Sequence, residues 1–301
     1  MQRKIIQQSA TSMGISLPSK WCKKWGVKKG DDMYIEESAD KIIIIPATNS
    51  TIEETAEITL GTGSIGYVKS VINNLYRRGY DSVKLIHPPI ARHKIIEALR
   101  ETTGFELVEQ KDTYVVIRNV AGIFEQEFDH LARRLFLVTL EIAEEGYRDI
   151  CNKTFSLEQY TQLKLTVEKL MNMCCRTLNK GKLREQPTSK FIYLIVHTLD
   201  KIAYNYLYAY RLIAKQKTLS KPLLKFLKNV NEYLRALYTA YYQKDLAHVV
   251  FLTETKDTLL WDEGHALLMK LRGEEIIIVH HLMSAVRRIY ECTSPFIGEN
   301  I

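Results

Sequence analysis

Apolar residues recur along this chain with two different periods. Over the first fifty residues the runs are short and suit strands. Lys4-Ile5-Ile6-Gln7 reads as one strand, Ser9 to Gly14 as a turn, and Ile15-Ser16-Leu17 as a second strand. Pro18 opens a helix of one or two turns through Trp21 to Trp25, and Gly26 ends it. Lys29-Gly30-Asp31 is a turn, Met33 to Glu37 a strand, Ala39-Asp40-Lys41 a hairpin turn, and Ile42 to Ile45 a last strand closed by Pro46. Residues 48–118 alternate strand and helix patterns. Strands are predicted at Thr55–Leu60 and Ser82–Ile86, helices at Ser64–Arg77 and Ala91–Thr103, and a hairpin at Phe105–Glu109 and Tyr114–Ile117. From about 119 the period lengthens to three or four residues. Six helices are predicted, at 121–148, 157–179, 188–216, 221–247, 251–270 and 273–293. Gly146, Gly181 with Pro187, Ser220-Lys221-Pro222 and Gly273 mark the breaks. In the third helix Phe191, Leu194, Ile195, Thr198, Leu199 and Ile202 form an apolar stripe, and Met171, Met173 and Met269 read as core filler. Tyr204, Tyr206, Tyr208 and Tyr210 put bulk on several faces, for packing or for a partner.

The pattern therefore predicts an α+β multidomain chain. Its parts are a small β-rich head (1–47), an α/β connector (48–118) and a long helical body (119–301). With 301 residues, 46% of them hydrophobic, the chain is long enough for separate cores. Five cysteines without a CxxC pair argue against a disulfide scaffold or zinc knuckle and favour a reducing compartment. The first residues lack the apolar run of a signal peptide, and no apolar stretch is long enough to span a bilayer, so a cytoplasmic location is expected.

Charge sharpens the picture at one end. Residues 1–30 carry seven bases (Arg3, Lys4, Lys20, Lys23, Lys24, Lys28 and Lys29) and no acid. The net charge of the whole chain is +7, so the other 271 residues average to neutral. Such concentration is a better nucleic-acid signal than the total. Two readings stand: the lysines contact DNA phosphates, or they are a solvated face. Arg3 is the candidate for a base edge, because its fork can be bidentate. Trp21 and Trp25, four apart, read as the buried or dimer-facing side of the short helix.

The stretch RKIIQQSATSMGISLPSKWCKKWGVKKGDDMYIEE, closed by KIIIIPA, resembles the AbrB/MazE/SpoVT family of swapped-hairpin DNA-binding domains. The order Ser16-Leu17-Pro18-x-x-Trp21 followed by Gly26-Val27-x-x-Gly30-Asp31 carries the resemblance. It implies that two chains interlace their strands into one dimeric barrel. Double-stranded DNA would be the partner, and Arg3, Lys4, Lys20, Lys23 and Lys24 would face it.

Six helices in the last part resemble the PhoU fold, a pair of three-helix bundles. The order of head, connector and body resembles archaeal PhoU-related regulators. That resemblance implies a role in phosphate uptake or homeostasis, a homodimer or higher even oligomer, and a phosphate transporter ATPase or signalling protein as partner. PhoU bundles often carry E/DxxxD pairs that bind metal. Here the pairs are broken. Asp200 is followed by Tyr204, Glu168 by Asn172, and Glu291 is preceded by Arg287. Glu125 and Asp129 keep the spacing on the first helix but have no identified partners elsewhere, so neither metal nor cofactor is expected. His87, His93, His197 and the adjacent His280 and His281 lack ligand partners at convincing spacing. Gly61-Thr62-Gly63-Ser64-Ile65-Gly66 lacks the lysine of a phosphate loop and reads as a turn with Ser64 capping a helix. No nucleophile elbow or metalloprotease motif is present, so no catalytic activity is expected.

Overall fold

A computed structural model describes residues 2–38, 41–46, 53–122, 127–180, 183, 186–244 and 247–301. The chain divides into two compact units, Met1–Glu54 and Thr55–Ile301.

The first unit holds two separate antiparallel ladders. β1 (Ile5–Gln7) pairs with β2 (Met13–Ile15), placing Ile5 opposite Ile15. β3 (Met33–Ser38) pairs with β4 (Lys41–Pro46), placing Ile35 opposite Ile44. Between the ladders lies α1 (Ser19–Trp25). Lys4, expected at the start of the first strand, precedes it.

The second unit begins with a four-stranded sheet in the order β5-β6-β8-β7, made of β5 (Thr55–Thr59), β6 (Ser82–Ile86), β7 (Phe105–Gln110) and β8 (Tyr114–Asn119). β5 and β6 are parallel, which requires the crossover supplied by α2 (Ile65–Arg77). On α2, Val68, Ile72, Leu75 and Tyr76 share one face and are buried against Val83, Leu85, Val115 and Ile117, as is Ile95 of α3 (Arg92–Leu99).

The helical part comprises α4 (Phe128–Asn152), α5 (Leu157–Asn179), α6 (Ser189–Ile213), α7 (Lys221–Gln243), α8 (Ala247–Asp257), α9 (His265–Lys270), α10 (Glu274–Glu291) and α11 (Thr293–Asn300). α6 lies at its centre and packs on α4, α5, α10 and α11. One hydrophobic core runs from Phe128 to Phe296.

Several expectations need correction. Gly146 does not break a helix; it is buried inside α4, where an added Cβ would lie 2.0 Å from Tyr210 Oη. The core face of α6 is rotated from the expected stripe. Ile195, Leu199 and Ile202 are buried, but Phe191 and Leu194 are exposed, and the face continues instead through Tyr206 and Tyr210. Met269 is 80% exposed and fills no core. The expected helix over 251–270 contains a π-helical stretch, Thr258–Gly264, and α11 follows the last predicted helix.

The sheet region is anchored to α5 by polar groups. Arg176 of α5, buried, donates to the carbonyls of Tyr76 and Tyr80, both at 2.9 Å, and pairs with Asp81 at 2.9 Å. Lys180 reaches the same carboxylate at 2.5 Å. Arg77 Nε donates to Asn172 Oδ1 at 2.6 Å, and Asn172 Nδ2 donates to the Glu101 carbonyl at 2.8 Å.

Candidate nucleic-acid interface

The head builds its basic surface from local rules. Gln8 N–H donates to the Ser12 carbonyl at 3.0 Å and closes the β1–β2 turn. Pro18 lacks the N–H that a helix start leaves unpaired, and its carbonyl accepts from Cys22 N–H at 2.9 Å. Gly26, with φ of 65°, caps α1 by returning its N–H to the carbonyls of Cys22 and Lys23. Beyond the cap, Lys28 N–H donates to Asp31 Oδ2 at 2.7 Å, and Gly30 takes φ of 97°. The spacing Gly26-x-x-x-Gly30-Asp31 is thus a helix cap followed by a side-chain-closed turn.

This geometry sorts α1 into two sides. Trp21, Cys22 and Trp25 are half-buried together with Leu17 and Val27, and the two indole centroids lie 6.3 Å apart. Lys20, Lys23 and Lys24 are exposed on the remainder of the helix, with Lys28 and Lys29 exposed just after it. Lys20 is three and four residues from Lys23 and Lys24, so the three ammonium groups share a side. Arg3 is brought to the entrance of α1, where Nη1 donates to Ser16 Oγ at 3.5 Å, and Lys4 is exposed beside it. Among the described residues, none of Arg3, Lys4, Lys20, Lys23 and Lys24 forms an ion pair. Residues 11–51 match the family described as antidote-toxin recognition MazE, bacterial antitoxin. No curated protein and no solved structure matches the chain. The MazE-like segment takes in β2, α1, β3 and β4, and so contains Lys20, Lys23 and Lys24, while Arg3 and Lys4 lie ahead of it.

The MazE-like head also exposes apolar surface. Among its described residues no side chain is buried, and Ile5, Ile6, Met13, Ile15, Tyr34, Ile35 and Ile42 are each more than half exposed. Covering a large apolar side chain is worth about 1.5–3 kcal/mol. Because each of the seven is already partly covered, they represent roughly 7–13 kcal/mol of gross burial for whatever covers them, comparable to typical association costs.

The other candidate chemistry is engaged elsewhere. Ser64 caps α2, its Oγ accepting from Tyr67 N–H at 3.3 Å, and Lys94 donates to the Gly63 carbonyl at 2.6 Å. In the helical part, Glu168 and Asp200 do converge, but on a lysine that the sequence pattern did not single out. Lys164 Nζ lies 2.6 Å from Glu168 and 3.2 Å from Asp200, and 3.3 Å from the ring centre of Tyr204. Burial opposes the charge on Lys164, but Asp200 and Glu168 outweigh it and hold the ammonium above its usual range. The only sequence signal for this triad is the i,i+4 spacing of Lys164 and Glu168. Glu291 pairs with Arg288 at 2.7 Å, Asp129 is exposed, and Glu125 lies outside the described residues. Among the described residues, no three His, Cys, Asp or Glu side chains are grouped to hold a metal ion. His93 is exposed and His87 is buried with Nδ1 2.9 Å from the Pro88 carbonyl. Burial lowers the pKa of His197 and pushes the Cys175 thiol up to about 12, away from a reactive thiolate. An open groove of about 560 Å³ between α7 and α8 is lined by Glu232, Arg235, Thr239, His248 and Phe251. Among the described residues no helix is long and apolar enough to cross a membrane.

Proposed function

We propose that this protein is a DNA-binding transcriptional regulator that acts as a homodimer or higher even oligomer. The observation that carries the reading is the division of the head: exposed cations on α1 and at its entrance that form no ion pair among the described residues, and uncovered isoleucines on its ladders. Two copies that cover each other's apolar strands would present two sets of Arg3, Lys4, Lys20, Lys23 and Lys24 to one duplex, as the MazE-like match supports. The cations would position the phosphates and Arg3 would read a base edge. The helical part would act as a partner or effector module, not as a catalyst. The order of head, α/β connector and helical body supports a PhoU-related role in phosphate uptake or homeostasis.

The test is binding of the full chain to genomic fragments over a range of salt. Affinity should fall steeply with salt, and some fragments should be preferred. Substituting Arg3→Gln and Lys4→Gln should weaken binding roughly tenfold or more and reduce that preference. Undetectable or salt-insensitive binding would sink the reading. The exposed head isoleucines also favour a second reading, a PhoU-like adaptor whose head only dimerises. Capture of a phosphate transporter ATPase or signalling protein without DNA enrichment would select it.

A further inference from the structure

Outside the head the chain is balanced on average, with 35 bases and 35 acids beyond residue 30, but it is not balanced locally. Residues 201–231 contain seven bases and no acid. Six of them, Arg211, Lys215, Lys217, Lys221, Lys225 and Lys228, fall across the end of α6, the loop 214–220 and the start of α7. The averaging that isolates the head's surplus conceals this second run.

The fold gathers it at one place. Tyr206 Oη of α6 donates to Asn231 Oδ1 of α7 at 2.8 Å, which sets residue 206 level with residue 231 across the two helices. Arg211 therefore stands level with the Lys225–Lys228 turn, and all six cations lie at the same end of the helical part, on the end of α6, the loop and the start of α7. All six are exposed. Lys228 pairs with Glu232 at 3.5 Å, and among the described residues the other five form no ion pair. Three acids approach the tip, Glu274 and Glu275 of α10 and Glu263, which accepts from Asn229 Nδ2 at 2.7 Å; they bind neutral groups and keep their charge, and the six cations outnumber them. Glu275 accepts from Ser220 N–H at 2.7 Å, and Glu274 accepts from Gln216. The loop is thus tied to α10, and its cations stand on a fixed base. Arg272, exposed just ahead of α10, adds to the same sign.

Six like charges within eighteen residues repel one another, a cost that a polyanion would relieve. Lys221 to Lys228 spans about 10 Å of helix rise, the reach of about three phosphates along one DNA strand. A lipid surface fits less well. Between residues 211 and 228 no large apolar side chain is prominently exposed to enter a bilayer. We propose that the α6–α7 tip is a second contact surface for the phosphate backbone of double-stranded DNA. The choice of DNA among polyanions rests on the DNA-binding reading of the head, and the experiment separates the two.

Binding of the full chain to a duplex of arbitrary sequence, several helical turns long, is measured over a salt series. Three variants are compared with the parent. One carries Lys20→Gln, Lys23→Gln and Lys24→Gln in the head. A second carries Lys215→Gln, Lys217→Gln, Lys221→Gln and Lys225→Gln in the tip, and a third has arginine at those four tip positions. Because the tip positions are exposed, all tip variants should keep the parent's helical circular dichroism and melting temperature. The glutamine tip variant should reduce the slope of log K against log salt by roughly 2–4 and weaken low-salt binding roughly 10–100-fold. The arginine variant should restore both. A tip variant with the parent's slope and affinity overturns the proposal, whatever the head variant does. Loss of binding to phosphatidylserine vesicles with duplex binding unchanged overturns it too and assigns the tip to a membrane. If the head variant binds as the parent does while the tip variant loses binding, the head reading falls and the tip proposal stands.

Discussion

Gly146 shows how one position can reverse a propensity argument. Glycine inside a helix ordinarily costs about 1 kcal/mol relative to alanine, so Gly146→Ala should stabilise α4 on propensity alone. The buried site says otherwise. A Cβ there would lie 2.0 Å from Tyr210 Oη, whose hydroxyl donates to the Ile142 carbonyl at 2.6 Å. Tyr210 is wholly buried among Phe155, Tyr160 and Tyr206 and has little room to yield. Overpacking and a disturbed buried hydrogen bond should outweigh the propensity gain and leave the variant about 2–3 kcal/mol less stable. Urea unfolding measures this directly, and an equal or higher midpoint would show that the tyrosine can move.

At the scale of elements, one buried guanidinium makes more of the polar links at the junction of α5 with the end of α2 and the turn after it than any other side chain. Arg176 satisfies two carbonyls at the end of α2 and the Asp81 carboxylate that follows. Its plane also lies 5.0 Å from the ring centre of Tyr76, adding a cation–π contact. A methionine there would fill the space and leave these acceptors without it. Removing one partner of a buried charged network costs about 3–5 kcal/mol. Arg176→Met should therefore destabilise the second unit by about 3 kcal/mol, with the first loss of amide hydrogen-exchange protection in α2 and β6. Protection lost uniformly along the helical part instead would mean that Arg176 supports the whole unit rather than this junction.

For the whole molecule, the question is what covers the head. Its small size and uncovered isoleucines make a lone copy a poor core. The second unit has its own cores and does not need the head to bury them. Ile15→Glu with Ile35→Glu should therefore weaken self-association at least about 100-fold, equivalent to about 3 kcal/mol, while leaving the melting of the helical part unchanged. Sedimentation equilibrium of the full chain checks the first and calorimetry the second. A parent chain that is monomeric at micromolar concentration would assign the apolar ladders to a different partner.

Most of the elements were legible in the sequence because local chemistry decides them. Proline and glycine punctuate the head, and period-two and longer apolar repeats separate the sheet region from the helices. The basic cluster Lys20, Lys23 and Lys24 was legible for the same reason, since a short helix puts residues three and four apart on one side. Other features depended on what distant segments bring together. Gly146 reads as a break until Tyr210 fills its space, and Met269 reads as core until the helix orientation exposes it. Glu168 and Asp200 read as remnants of an acidic site until Lys164 occupies the space between them. The tip cations were present in the sequence throughout, but local charge counts only where the fold gathers it. That gathering was decided by the loop 214–220, which reverses the chain between α6 and α7, with the Tyr206–Asn231 hydrogen bond setting their relative height.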